Sequence, residues 1–330
     1  MTRATRIVHA ALVLAGLGVF VALVHHVGPA RLAGDLRRFG WAILGVVAFE
    51  LLIDGCNTAA WRAILPPDSP VGFGRLYWVR QAGVAINQVT PTATVGGEVV
   101  KTLLLRPYLR AATSAASLVA ARMSHALGQT ILVLLGLSAM LRRIGDAADL
   151  RGAIVLTVVA LAGGVLSFVW LQRRGIFARL ANGLPRLGLA ERLVARARAA
   201  ALALDGQLAA FYRERPGAFA ASIAWHLLGQ LVGLFQLSFI LTTLGIPASI
   251  ATCLAIEAFA LVLDSAAFLV PGRVGAQEAG RVLVFTTFGL SATTGLAVAV
   301  IVRLNQLAVV ALGLAAYAVL SAGARAPNRA

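Results

Sequence analysis

A chain of 330 residues that is 59% hydrophobic and only 13% charged is not an ordinary soluble domain, where about a quarter of residues carry charge. With a mean hydropathy of +0.86 and several apolar stretches longer than the ~20 residues that cross a bilayer, it reads as an all-α polytopic membrane protein. The net charge of +16 would suggest nucleic acid in a soluble protein; here it sets topology and attracts anionic lipid, and no nucleic-acid partner is expected.

Taken in chain order, spanning helices are predicted at about 7–27, 41–61, 113–139, 151–171, 218–243 and 295–321. The first follows Arg3 and Arg6 and is apolar from Ile7 to Val24. That is longer than the core of a cleaved signal, and no A-x-A site follows, so it reads as an uncleaved helix. Two further segments, about 74–108 and 250–290, are apolar but interrupted midway by Pro and Gly. They are either re-entrant hairpins or pairs of short spans, giving six full spans plus two hairpins, or eight spans.

Segment 172–215 carries Arg173, Arg174, Arg179, Arg186, Arg192, Arg196, Arg198, Arg213 and Arg215 against Glu191, Asp205 and Glu214. This excess marks it as cytoplasmic, with the amino terminus and the tail bearing Arg325 and Arg329 on the same side. Ala190 to Phe211 has helical spacing and suits an interfacial or a solvated connecting helix. Cys56 and Cys253 lie in apolar segments and read as buried free thiols.

The two broken segments share a pattern. Pro91-x6-Glu98-x2-Lys101 recurs as Pro271-x6-Glu278-x2-Arg281, and 271−91, 278−98 and 281−101 all equal 180. Adding 180 to the helix at 41–61 gives 221–241, and adding it to 113–139 gives 293–319, both within predicted helices. The chain is therefore one integral membrane domain over 1–330 holding two units, about 41–139 and 218–321. Each is helix, broken hairpin, helix, and the first starts from outside while the second starts from inside. That is an inverted repeat, whose broken segments point to a binding site near the bilayer midplane.

Pro91 and Pro271 each remove a donor and disfavour helix just before them. Gly96 and Gly97 in one segment, and Gly272 and Gly275 in the other, permit tight turns. A helix restarting after such a break presents unpaired N–H groups suited to phosphate or carboxylate. Glu98 and Lys101, like Glu278 and Arg281, stand three residues apart on one helical face, so each acid can hold its base or release it to a substrate. A plain loop between spans with surface charges is the alternative.

Glu50, Asp54, Arg122, Glu257, Asp264 and Arg303 are ionisable groups inside apolar segments, where such groups face a partner or a wet cavity. Arg122 with His125, and Arg303 with Asn305 and Gln306, fall at nearly equivalent places in the two units. Both arginines are candidate headgroup ligands, since a guanidinium grips phosphate in bidentate fashion; the alternative is an ion pair that holds the bundle together. Asn87 and the threonines from Thr90 to Thr94 add polar lining, and Asp264 joins the candidate substrate-binding set. His125 and His226 read as hydrogen-bonded core histidines, and Gly229-x3-Gly233 as a place for close helix packing. There is no G-x4-GK[ST], H-E-x-x-H, G-x-S-x-G or zinc-spaced Cys/His set, so no catalytic residues, metal or cofactor are expected.

The runs Asn87-Gln-Val-Thr-Pro-Thr-Ala-Thr-Val-Gly-Gly-Glu98 and Val270-Pro-Gly-Arg-Val-Gly-Ala-Gln-Glu278 resemble the two signature segments of the lysylphosphatidylglycerol synthase transmembrane-region family, also called flippase-like membrane proteins. The resemblance spans about residues 5–322, and the motif forms look most like the subgroup associated with hopanoid biosynthesis. It implies a bacterial inner-membrane protein that moves or presents a lipid of hopanoid, anionic phospholipid or polyprenyl type, with membrane lipids and lipid-biosynthesis proteins as partners. In the lysyl-lipid relatives a soluble aminoacyl-transfer domain follows the membrane part. This chain ends at Ala330, so that domain and its enzymatic activity are not expected. The other readings are an intramembrane enzyme on lipid-linked substrates and a non-transporting partner of a lipid-synthesis complex.

Overall fold

The computed structural model describes residues 29–90, 95–141, 191–246, 248–266 and 276–325, with residue 25 and scattered positions between 152 and 179. The spans predicted at 7–27 and 151–171 lie largely outside the described residues. So do Pro91, Pro271, Gly272 and Gly275, and the side chain of Asp264.

The described elements are all helical: α1 (Pro29–Phe39), α2 (Ala42–Ile64), α3 (Phe73–Val89), α4 (Val95–Leu105), α5 (Ala111–Leu141), α6 (Glu191–Glu214), α7 (Pro216–Thr243), α8 (Ile250–Ala266), α9 (Ala276–Thr287) and α10 (Ala292–Arg325). Four of them, α2, α5, α7 and α10, are long and apolar enough to cross a membrane. The shortest, α2, has 23 residues and so reaches about 35 Å against a hydrocarbon core of about 30 Å.

The broken segments are hairpins. Helix α4 has 11 residues and α9 has 12, lengths of roughly 16–18 Å that stop well short of a crossing. Both feet of the first hairpin stand at the end of the bundle where α2 finishes. Val71 and Leu76 before and in α3, and Leu104 and Leu105 of α4, pack there with Trp61 and Leu65, and Arg75 lies 4.8 Å over the Tyr108 ring. The second hairpin enters from the opposite end. Ala248 before α8, and Val284, Phe285, Phe288 and Leu290 at the close of α9, join the cluster that holds Ala42, Ile43 and Val46 at the start of α2.

Helices α2 and α7 occupy equivalent places in the two units and run antiparallel. Phe239 lies beside Gly45, Gln236 Nε2 donates to the Val46 carbonyl at 2.9 Å, and His226 meets Asn57. At the far end Arg215 donates to the carbonyls of Ala63, Ile64 and Leu65 at 3.0–3.1 Å, closing the C-terminus of α2. Equivalent helices that run antiparallel are what units of opposite orientation require. Helix α3 packs on α10, and α8 packs on α5, so each hairpin leans on the last helix of the other unit. Small residues permit both approaches: Gly313 lies against the Gln81 carbonyl and Ala85, and Gly136 against Ala258 and the Leu254 carbonyl. Gly229 likewise faces Cys56 and Ile53, while Gly233 is in looser contact. Cys56 and Cys253 are buried free thiols.

Helix α1 is not foreseen in the hydropathy pattern, because 11 residues with Asp35, Arg37 and Arg38 do not resemble a span. Its Leu32, Leu36 and Phe39 follow helical spacing and pack into the cluster beside α7 and α10. Within the basic segment residues 191–214 form α6, close to the limits predicted for its helix. Leu204, Leu208 and Tyr212 dock on Ile64, Ala116 and Ala120, so α6 is seated on the bundle.

Gly313→Ala places a Cβ 2.5 Å from the Gln81 carbonyl and 2.7 Å from Ala85. It should destabilise the protein by about 1–3 kcal/mol. Gly217→Ala, with nothing within 4 Å, should stay within about 0.5 kcal/mol. Thermal unfolding of the purified protein in detergent checks the pair, and equal effects would contradict the close α3–α10 packing.

Candidate functional site

Each hairpin builds a polar centre from the first turn of its short helix. In the first, the Gly97 N–H donates to Asn87 Oδ1 at 2.6 Å, so a side chain of α3 satisfies a donor that the start of α4 leaves open. Gly97 lies so close to the Gly83 carbonyl and Asn87 that no Cβ fits; glycine there lets the two arms touch. One residue on, Glu98 Oε1 accepts from Lys101 Nζ at 3.0 Å and from Arg122 Nη2 at 2.8 Å. The predicted Glu98–Lys101 pair is present, and the arginine on α5 completes a carboxylate shared by two cations.

Lys101 is buried and lies 5.9 Å over the Trp61 ring, whereas the Arg122 side chain is 51% exposed. These groups line a cavity of about 160 Å³ with Asn57, Arg80, Asn87, His125 and His226. Below it Asp54 accepts from Arg80 and from Gln81 Nε2 at 2.6 Å. His226 Nδ1 bonds Asn57 Oδ1 at 2.8 Å and its ring meets His125 edge-on at 4.9 Å. Among the described residues no His/Cys/Asp/Glu group suits a metal. The three bases Arg80, Lys101 and Arg122 against Asp54 and Glu98 leave this centre with a formal excess of one positive charge, 3 − 2 = 1.

In the second centre Glu278, in the first turn of α9, is 4% exposed. Its Oε1 accepts from Arg303 Nε at 3.1 Å and Nη2 at 2.9 Å. Arg303 Nη1 also reaches Gln306 at 3.3 Å, and Arg281 bridges to Glu257 on α8 at 3.3 Å. A small cavity of about 40 Å³ lies among Gln277, Glu278, Arg281, Arg303 and Gln306. A neighbouring one of about 160 Å³ is lined by Glu50, Gln236, Glu257, Arg281, Asn305 and Gln306.

The two centres share one arrangement: a glutamate in the first turn of the short helix, clamped by an arginine from the last helix of its own unit. A carboxylate at a helix start is also favoured by the helix dipole. Among the described residues the four bases do not line one cavity. Lys101 and Arg122 line one cavity and Arg281 and Arg303 another, because the short helices stand against different full-length helices. The sequence reading also passed over Arg80 and Gln81. Their position inside the apolar run from Leu76 to Ile86 was the available signal.

Comparison with known proteins matches residues 7–313 to the family described as the lysylphosphatidylglycerol synthase TM region. A UPF0104 membrane protein of Methanothermobacter thermautotrophicus is 31% identical over 109 residues. The matched stretch covers 32% of this chain and 32% of that relative. No solved structure matches.

Glu98→Gln leaves buried Lys101 without its counter-charge, and should cost about 1–3 kcal/mol of stability. The double change Glu98→Gln with Lys101→Met should recover most of that loss, since it removes the stranded charge as well. Thermal unfolding of the three variants against wild type decides this, and a purely additive loss would contradict the coupling.

Proposed function

The chain belongs to the lysylphosphatidylglycerol synthase transmembrane-region family, a membrane family related to lipid handling, and from that premise we propose that it moves or presents a lipid between leaflets without chemically transforming it. The observation that carries this reading is the pair of carboxylate–arginine clamps, Glu98–Arg122 and Glu278–Arg303, set on hairpins that enter from opposite ends of the bundle. In each, the arginine meets a single carboxylate oxygen, Glu98 Oε1 or Glu278 Oε1, and an anionic headgroup can replace it, since phosphate offers a guanidinium a full bidentate partner. The positive excess at the first centre and the exposure of Arg122 make it the entry point for a phosphate-bearing or carboxylate-bearing headgroup. An anionic phospholipid or a polyprenyl phosphate has that chemistry; hopanoid-type lipids enter through the motif resemblance.

Movement follows from the antiparallel α2–α7 seam, along which one unit rocks against the other and opens the two centres in turn. On this reading the protein sits in the bacterial inner membrane. Its termini and α6 face the cytoplasm, where the arginines of segment 172–215 follow the positive-inside rule, and lipid-biosynthesis proteins supply or receive the cargo.

Arg122→Ala and Arg303→Ala should each slow movement of a fluorescent anionic phospholipid in reconstituted vesicles. Loss of one charge-assisted contact of about 1.5–3 kcal/mol corresponds to roughly a 10–150-fold reduction. Arg→Lys at either position should restore only part of the rate, because an ammonium lacks the bidentate fork. Unchanged rates in both alanine variants would sink the headgroup role.

A further inference from the structure

Among the intramembrane acids whose side chains are described, four are ion-paired. Asp54 takes Arg80, Glu98 takes Lys101 and Arg122, Glu257 takes Arg281 and Glu278 takes Arg303. Glu50, near the middle of α2, is held by amides instead. Its Oε2 accepts from Asn305 Nδ2 of α10 at 3.0 Å and from Gln236 Nε2 of α7 at 3.2 Å. Asn305 is only 3% exposed, and its Oδ1 is a buried acceptor with no donor. Both residues line the cavity of about 160 Å³ beside the second centre, which has room for water.

The charges around Glu50 are paired with one another. Asp54, one turn along α2, is matched by Arg80 of α3. Across the cavity Glu257 of α8 is matched by Arg281 of α9, and Arg303 of α10 is engaged by Glu278. From α7 and α10 the polar groups that reach the cavity are the amides Gln236, Asn305 and Gln306. An ionised carboxylate here is a charge in a low-dielectric setting without a counter-charge, which is costly enough that such groups neutralise. It also offers only acceptors, so it cannot serve Asn305 Oδ1. One proton answers both needs. It removes the charge and turns one carboxyl oxygen into a donor, the kind of partner the amide oxygen lacks, while the other oxygen keeps accepting from the two amide N–H groups.

We propose that Glu50, held between Asn305 and Gln236, is a proton-binding site at the junction of α2, α7 and α10. The carboxylate takes a proton from a hydronium ion arriving through water in the cavity, one O–H bond forming as the hydronium's breaks and a neutral water left behind, and the reverse step returns it. Because α2 belongs to one unit and α7 and α10 to the other, each protonation changes the charge on the seam between them. The site's coupling to lipid movement rests on the transport reading above; its proton binding does not.

The test uses the purified full chain in lipid nanodiscs. Infrared difference spectra between acid and neutral pH should contain a carboxylic-acid C=O band that disappears in Glu50→Gln and persists, shifted, in Glu50→Asp. Identical spectra for wild type and Glu50→Gln would overturn the site, and the Asp variant keeps the test open if the Gln variant does not fold. In vesicles carrying fluorescent phosphatidylglycerol, a pH gradient should alter the wild-type rate and leave Glu50→Gln unaffected. A response to a sodium gradient in place of a pH gradient would overturn the proton assignment. If the wild type moves no lipid at all, the transport reading fails while the infrared titration still decides the proton site.

Discussion

A helix that begins inside a bilayer starts with backbone N–H groups that lipid cannot satisfy, and both short helices of this protein begin within their hairpins. The sequence around each start answers that constraint. Asn87 takes the N–H of Gly97, glycine at 97 lets the arms close upon each other, and a glutamate stands in the first turn of each short helix. The glutamates bring a further demand, since a carboxylate at this depth needs a cation. Arg122 and Arg303 meet it from the neighbouring full-length helices. The hairpins, the full spans and the charge pattern are thus tied to one another.

The same logic explains why the two units interlock. Each hairpin is too short to bury its outer face alone, so α3 leans on α10 and α8 on α5. The contacts close down to backbone distance at Gly313 and Gly136, where dispersion replaces a hydrophobic drive that lipid does not supply. Interlocking of this kind means that neither unit moves without sliding against the other. The α2–α7 seam, threaded by Gln236, Glu50, Asn57 and His226, is polar where it would otherwise be a plain apolar contact.

The units are alike in plan and different in charge. The first gathers three bases around two acids and opens Arg122 to its surroundings. The second matches Arg281 and Arg303 to Glu257 and Glu278, and the amide-held Glu50 of the first unit lines the cavity beside it. Lys101 pairs with Glu98 on its own short helix, whereas Arg281 reaches across to Glu257 on α8.

Much of this was legible beforehand. Four long apolar runs announce α2, α5, α7 and α10 because hydropathy and length alone decide whether a helix crosses a bilayer. The 180-residue offset announces the repeat and the equivalence of Glu98 with Glu278, because a duplicated backbone needs the same residues at the same breaks. Helix α1 escaped because its amphipathic pattern is short and polar on average. The choice between hairpins and paired spans was open, since loop parity is the same for both; only the shared ends of α3 and α4, and of α8 and α9, decide it. By itself the sequence determined the class, four of the spans and the paired acids, which depend on local composition and spacing. Tertiary structure alone decided which base meets which acid, that the four bases divide between two cavities, and that Glu50 is left to amides, because those pairings join residues up to 255 positions apart through helix packing that no local pattern encodes.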